Sequence, residues 1–393
     1  MSQVTGKRFC DIYALLEASQ EIFFGNIPGV NKMPIETVWV SNGSKENGVE
    51  KVYFSPTKRR GVDRRTLLWT KVMTKNGERQ YQDVVGCGLP RTCRVCAVCR
   101  LYGGISTERR GTFISREEGQ SDEDFINKIM DELDLPTSEK PLFKKLLGKV
   151  EGKNQIKLET LRGGIDSLLK GKSKEGVTKE EIDAKKGILE NLRKSIELRI
   201  EEEKRPLSIT SRIEYGGGVA IQPLPPEWKQ RLSTSSAIES VEDVSTPFKK
   251  QYGQPSLLFP TYYHMFFVDE DEIGLAAYAF LNSLPRYGAG HPKGFNFHYN
   301  KFNEESEKTE PMIVIDEYLI PQGDRPVVSA LINSVEEAIK DFRIKALNVK
   351  AGQYNDGKIE SKHFIRYYGE KAYVRLKELS EKGFQKLQQS AQL

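Results

Sequence analysis

Four thiols within thirteen residues constrain this chain more than any other feature. The stretch CGLPRTCRVCAVC sets Cys87, Cys93, Cys96 and Cys99 at the spacing Cys-x5-Cys-x2-Cys-x2-Cys. A loop so short and so charged cannot order itself by burying apolar surface, so something must tie its thiols together. Five cysteines in 393 residues are too few for a disulfide-stapled secreted scaffold. The N-terminal MSQVTGKRFCDIYALLEASQ lacks the unbroken apolar core of a secretory signal. The expectation is therefore a cytoplasmic protein with reduced thiols, in which such a cluster reads as a metal site. Four thiolates complete a tetrahedral Zn²⁺ and leave no open position for a substrate water, so the expected cofactor is structural zinc. Three alternatives stay open: an iron–sulfur cluster, a thioredoxin-like redox pair, and cysteines that bind nothing. Cys93-x2-Cys96-x2-Cys99 does open the bacterial ferredoxin pattern, but the following x3-Cys-Pro is missing, and Gly103 stands there. Cys10, far away in sequence, reads as a small buried hydrophobe.

Charge gathers around the same loop. The chain as a whole carries only +5, too little to name a partner. Between Lys51 and Arg116, however, fifteen basic residues face four acids, giving +11 there and −6 over the rest. A basic segment on a mildly acidic chain is the footprint of a polyanion-binding face. Arginine is common in it, and its planar fork suits phosphate oxygens. The blander reading is an ordinary solvated basic surface. With 38% hydrophobic and 29% charged residues, the chain is not disordered. No apolar run approaches the roughly 20 residues that a membrane helix needs.

Strand and helix patterns mix without a strict βαβ rhythm, which predicts an α+β fold, with a split βαβ sheet of the ferredoxin-like kind as the expected core. Ile35–Asn42, Lys51–Ser55, Leu207–Tyr215, VAIQPL after the Gly216–Gly218 run, Thr261–Glu270, Met312–Ile320 and HFIRYYG read as strands. Ile273–Leu284 and Val327–Phe342 read as helices. The segment 121–205 reads as a charged helical insertion. It starts at a Ser121 cap followed by Asp122, Glu123 and Asp124, and a Thr178/Glu181 capping box leads its last helix.

A second basic, aromatic cluster is PRYGAGHPKGFNFHYNKF, Pro285–Phe302, with Arg286, His291, Lys293, His298 and Lys301 interleaved among five aromatic rings. Single-stranded nucleic acid uses this mixture, since bases stack on rings and phosphates pair with cations. A glycine-rich loop tucking its rings into the core is the competing reading. The chain has no Walker loop, no G-x-S-x-G and no H-E-x-x-H.

A basic stretch, then Cys-x2-Cys-x2-Cys followed by Leu101-Tyr102-Gly103, and later Arg286-Tyr287-Gly288-Ala289, resembles the guide-RNA-binding backbone subunits of CRISPR–Cas interference complexes. Type I-D members are the nearest, with type III and type IV subunits as rivals. The resemblance covers residues 50–115 and 280–300. It implies an RNA-recognition-motif-like core (palm) at 1–60 and 206–370, a basic zinc-finger insertion at 61–120, the helical insertion at 121–205 and a helical tail at 371–393. It implies a non-catalytic subunit that polymerises along crRNA and supports pairing of the guide with target DNA or RNA. Copies of itself and other effector subunits would be its partners. The RNA contacts expected are Lys58, Arg59, Arg60, Arg64, Arg65, Arg91, Arg94, Arg100, Arg109, Arg110, Arg286, Tyr287 and Lys293, reading charge and shape while base pairing reads sequence. Two alternatives remain. One is a type III-like subunit that cuts target RNA in a metal-dependent way, for which Asp11 and Asp63 are the acids to test. The other is a zinc-stabilised module that binds protein.

Overall fold

A computed structural model describes residues 6–25, 32–43, 47–88, 92–105, 113–133, 141, 155–170, 179–204, 207–233, 246–288, 294–302, 307–350 and 352–391. The fold is α+β, and its centre is an antiparallel sheet. The strands of that sheet are β1 (Arg8–Ala18), β2 (Ile213–Gly217), β3 (Leu258–Val268), β4 (Phe295–Phe297), β5 (Ile313–Tyr318), β6 (Gln353–Asn355), β7 (Lys358–Ser361) and β8 (Phe364–Tyr368). Their spatial order is β2-β3-β1-β5-β8-β7-β6, with β4 paired to the end of β1. β1 is central: Ile12 lies opposite Tyr263 of β3 and Ile315 of β5.

The helices used below are α1 (Pro56–Leu68), α2 (Ala97–Tyr102), α3 (Glu270–Ser283), α4 (Val335–Leu347) and α5 (Gly369–Ala391). The chain runs from β1 through α1 to β2, and from β3 through α3 to β5. Each of these crossovers skips one strand of the sheet. The side chains of β1 alternate between faces. Tyr13 and Leu15 share one face with Val314 and pack under Ala338, Ile339 and Phe342 of α4. The opposite face carries Tyr263, whose ring meets Phe280 of α3 at 4.9 Å. With both faces covered, β1 is buried over nearly its whole length, including Leu15 and Leu16 at 0% exposure. α3 packs against α1 and against α5. The α3–α5 crossing needs two glycines, because a Cβ on Gly383 would stand 2.2 Å from the carbonyl oxygen of Gly274.

The sequence pattern locates most of these elements. Asp269 and Glu272 cap α3 reciprocally, the Asp269 side chain accepting from the Glu272 N–H at 2.9 Å. Three expectations fail. Leu207–Tyr215 is not one strand, since Ser208–Ile209 and Ile213–Gly217 belong to different sheets. Val327–Phe342 is not one helix: α4 begins after Ser334, whose hydroxyl accepts from the Glu337 N–H, and the residues before it run in irregular turns. VAIQPL does not resume a strand either. It forms the isolated bridge Tyr53↔Val219, and the Ala220 and Ile221 N–H groups donate to the Val52 and Leu258 carbonyls.

The chain divides into two compact units. One comprises Met1–Gly88, Val95–Gly104 and Thr210–Leu393; the other comprises Leu89–Arg94 and Ile105–Ile209. The second unit has an apolar core of its own. The helices Asp122–Glu132, Leu158–Leu169 and Lys186–Lys204 contribute Phe125, Ile129, Leu158, Ile165, Leu189 and Ile196, each at 0% exposure. Ser121 caps the first of these helices, accepting from the Asp124 N–H at 3.1 Å. The described helices of this segment pack around a shared core. Among the described residues no helix is long and apolar enough to cross a membrane.

Candidate metal centre and basic helix

The four cysteines converge. The Sγ atoms of Cys87, Cys93, Cys96 and Cys99 all lie within 4.8 Å of one another. None forms a disulfide, and the Cys87 and Cys99 sulfurs are 3.4 Å apart. A tetrahedron with metal–sulfur bonds of about 2.3 Å has edges of about 3.8 Å, so the cluster fits a four-thiolate ion. Cys87, Cys93 and Cys99 are buried and Cys96 is half-buried. The local chain turns to bring them together through left-handed backbone at Gly86 and Arg94. Cys96 caps α2 by accepting from the Cys99 N–H at 3.4 Å. The four cysteines could therefore hold a metal ion.

α1 grips this loop from outside. Arg64 donates from Nη1 to the Gly103 carbonyl at 2.6 Å and from Nη2 to Cys99 Sγ at 3.4 Å. Arg60 donates to the Tyr102 carbonyl. A guanidinium on a ligand sulfur offsets the excess negative charge that four thiolates bring to a divalent ion.

The inner face of the same helix holds a buried polar network. Asp63, 1% exposed, accepts from the Tyr287 hydroxyl at 2.5 Å and from the Tyr215 hydroxyl at 2.9 Å, and Tyr287 in turn meets Tyr263 at 2.9 Å. Burial pushes the Asp63 carboxyl up to about 6, although hydrogen bonds from Tyr287, Tyr215 and Ser283 and the nearby Arg59 charge pull the other way. Arg59 is fully buried. It donates from Nη2 to the Gly216 carbonyl at 2.7 Å, and its guanidinium carbon lies 5.7 Å from the ring centres of Phe54 and Tyr215. Arg286 reaches the C-terminal end of the helix, donating to Thr66 Oγ1 at 3.1 Å and lying over the Trp69 ring at 5.1 Å.

The expected site residues thus separate. Arg59, Arg94 and Tyr287, expected at an RNA groove, are in the interior. Lys58 is half-buried and pairs with Glu36. Arg60, Arg64, Arg65 and Arg286 are half-buried, and Arg100 is exposed. Arg91, Arg109, Arg110 and Lys293 lie outside the described residues. Asp63 belongs to the network above. Asp11, 2% exposed, accepts from Tyr13 at 2.7 Å and from Tyr318 at 3.1 Å, and lies 2.5 Å from His264 Nδ1. Lys51, counted in the basic segment, is fully buried and donates to the carbonyls of Ala330 and Ile332. Desolvation lowers its ammonium to about 8.

One basic, aromatic element carried no sequence expectation. The hairpin Glu227–Ser233 and Thr246–Tyr252 is extended by a parallel Lys32–Met33 strand. It exposes Trp228, Lys249 and Lys32. The alternation in EWKQRLS and TPFKKQY was the available signal.

No family model matches the chain, and no curated protein matches it. Solved structures do. A chain titled "CRISPR RNA-guided surveillance complex, pre-nicking" aligns over 86% of this chain and 87% of its own, at 12% identity and a TM-score of 0.33. The crystal structure of Thermofilum pendens Csc2 aligns over 99% of this chain and 83% of its own, at 10% identity and a TM-score of 0.29. Likenesses this distant assign no family.

Proposed function

We propose that the chain is a guide-RNA-binding backbone subunit of a CRISPR interference complex, built on a ferredoxin-like core with a structural zinc loop. The observation that carries the reading is the way α1 gathers the two sequence signatures. Arg60 and Arg64 hold the Cys-x2-Cys-x2-Cys–Leu-Tyr-Gly segment. Asp63 and Thr66, on the same helix, hold Arg286-Tyr287. The core supports it: β1–α1–β2 and β3–α3–β5 are two crossovers in the spatial order β2-β3-β1-β5, which is the order of a split βαβ sheet.

In this reading the RNA contacts come from the side chains of the basic segment that reach solvent, Arg65 and Arg100 first, together with the exposed Trp228, Lys249 and Lys32 of the ribbon. Lys58, Arg60, Arg64 and Arg286 have protein partners already, and they shape the surface. Zinc is the metal proposed for the four thiolates, since a closed all-sulfur site supplies structure and no open coordination position. The subunit does no chemistry of its own. Asp11 and Asp63 are committed to buried tyrosines, which leaves neither acid free to bind a catalytic metal.

The test is the absorbance ratio at 260 and 280 nm of the protein purified at low salt, followed by sequencing of bound RNA. Copurified repeat-derived RNA in long oligomers is expected, weakening steeply with salt. A clean monomer free of nucleic acid overturns the proposal. Regular cleavage of a target RNA, lost in Asp63→Ala or Asp11→Ala, would overturn the non-catalytic part alone.

A further inference from the structure

A cavity of about 930 Å³ is lined by none of the four cysteines and by neither Asp63 nor its tyrosine partners. It is bounded by the end of β1, the end of α3, β4 with the residues after it, and α5. Its size falls within the range of small-molecule sites, about 300–1,000 Å³.

The lining is aromatic and polar together. Phe297 and Tyr373 meet edge to face at 5.6 Å, and Tyr299 stands at the rim, 51% exposed. The Lys377 ammonium sits 4.5 Å from the centre of the Tyr373 ring. Asn282 and Asn296 line the cavity from exposed positions; Asn282 Nδ2 donates one hydrogen to the Tyr278 carbonyl at 2.8 Å, and a side-chain amide carries a second hydrogen and an acceptor oxygen besides. His298 is engaged on one side only, with Nδ1 2.8 Å from Glu17 Oε2. A carboxylate can only accept, so Nδ1 donates. The ring's Nε2 is buried with no hydrogen-bond partner among the described residues.

We propose that this cavity binds a single nucleotide, either free or belonging to a bound strand. A planar base suits the tyrosine rings, the base edge suits the two amides, and a phosphate suits Lys377. A purely apolar ligand would cover the Asn296 amide without pairing it, at a cost. A bare anion would ignore the rings and would find Glu17 opposing it. The strand-bound form rests on the RNA-binding reading above, whereas the free form does not.

The experiment uses the full-length protein and two probes. Calorimetric titration with adenosine monophosphate is expected to saturate, with Lys377→Ala and Asn296→Ala each weakening it about tenfold. Both residues are exposed, so far-UV circular dichroism should be unchanged in the variants. The second probe is single-stranded RNA containing 2-aminopurine. A fluorescence rise on binding that Tyr299→Ala abolishes assigns the site to a strand nucleotide, and saturable monophosphate binding with a flat fluorescence signal assigns it to a free one. Absence of both signals overturns the proposal. Filter binding of unlabelled RNA reports separately on RNA affinity, so failure of the RNA-binding reading is distinguishable from failure of this one.

Discussion

Asp63 shows what the interior does to a charge. Its ordinary unfolded value lies near 4, and the folded value is pushed up to about 6. The folded state therefore binds the proton more tightly, and this contribution to stability is complete below the unfolded value and lost as pH rises through about 6. Urea melts of the wild type should lose stability between about pH 4 and 6, by an amount on the order of 1–3 kcal/mol. Asp63→Asn should flatten that component; an unchanged slope would place the proton elsewhere. Arg64 is testable in the same way. Its removal strips the hydrogen bonds to Gly103 and Cys99 and should cost about 10–100-fold in metal affinity against a chelator dye. Arg64→Lys should rescue this only in part, because a point charge cannot donate from two fixed nitrogens. At this scale the sequence showed the clustered thiols and hid their supports. Cys-x2-Cys-x2-Cys is local, whereas Tyr287 reaches Asp63 across 224 positions.

At the scale of elements, one cap was legible and close packing was not. Ser121 marks a helix start in both the pattern and the structure, whereas Asp269, read as part of a strand, caps α3. The Gly216–Gly218 run read as a strand break, yet Gly216 and Gly217 end β2. Gly217 has φ +69, and a Cβ there would lie 2.2 Å from the Pro260 carbonyl oxygen. Gly217→Ala should destabilise the protein by about 1–3 kcal/mol in urea unfolding. A loss within a few tenths of a kcal/mol would mean that the strand end relaxes. The same run offers Arg59 its carbonyls, so a position that looked like a turn serves as an acceptor for a buried cation.

For the whole molecule, the two units carry separate cores, and separate cores need not unfold together. Calorimetry should resolve two transitions. Ile165→Ala, at a fully buried site of the second unit, should lower one of them by about 2–5 kcal/mol and leave the other in place. A single transition shifted as a whole would show that the units unfold cooperatively. This core was half visible in advance. The helical periodicity of Phe125 through Leu133 and of Leu189 through Ile200 was plain, but the surrounding charge concealed how fully those faces pair.

The sequence by itself determined the spacing of the four thiols, the mixed α+β class, the Ser121 cap and the concentration of positive charge around the thiols. These are local properties, set by neighbours within a turn or a loop. Only the tertiary structure decided which of those charges reach solvent. Lys51 and Arg59 lie inside because backbone carbonyls at Ala330, Ile332 and Gly216 receive them, and Arg64 turns toward the cysteine loop. A count along the chain weighs every cation equally. Burial depends on strands brought together from far apart in sequence, and desolvation then turns a surface charge into an internal hydrogen-bond donor.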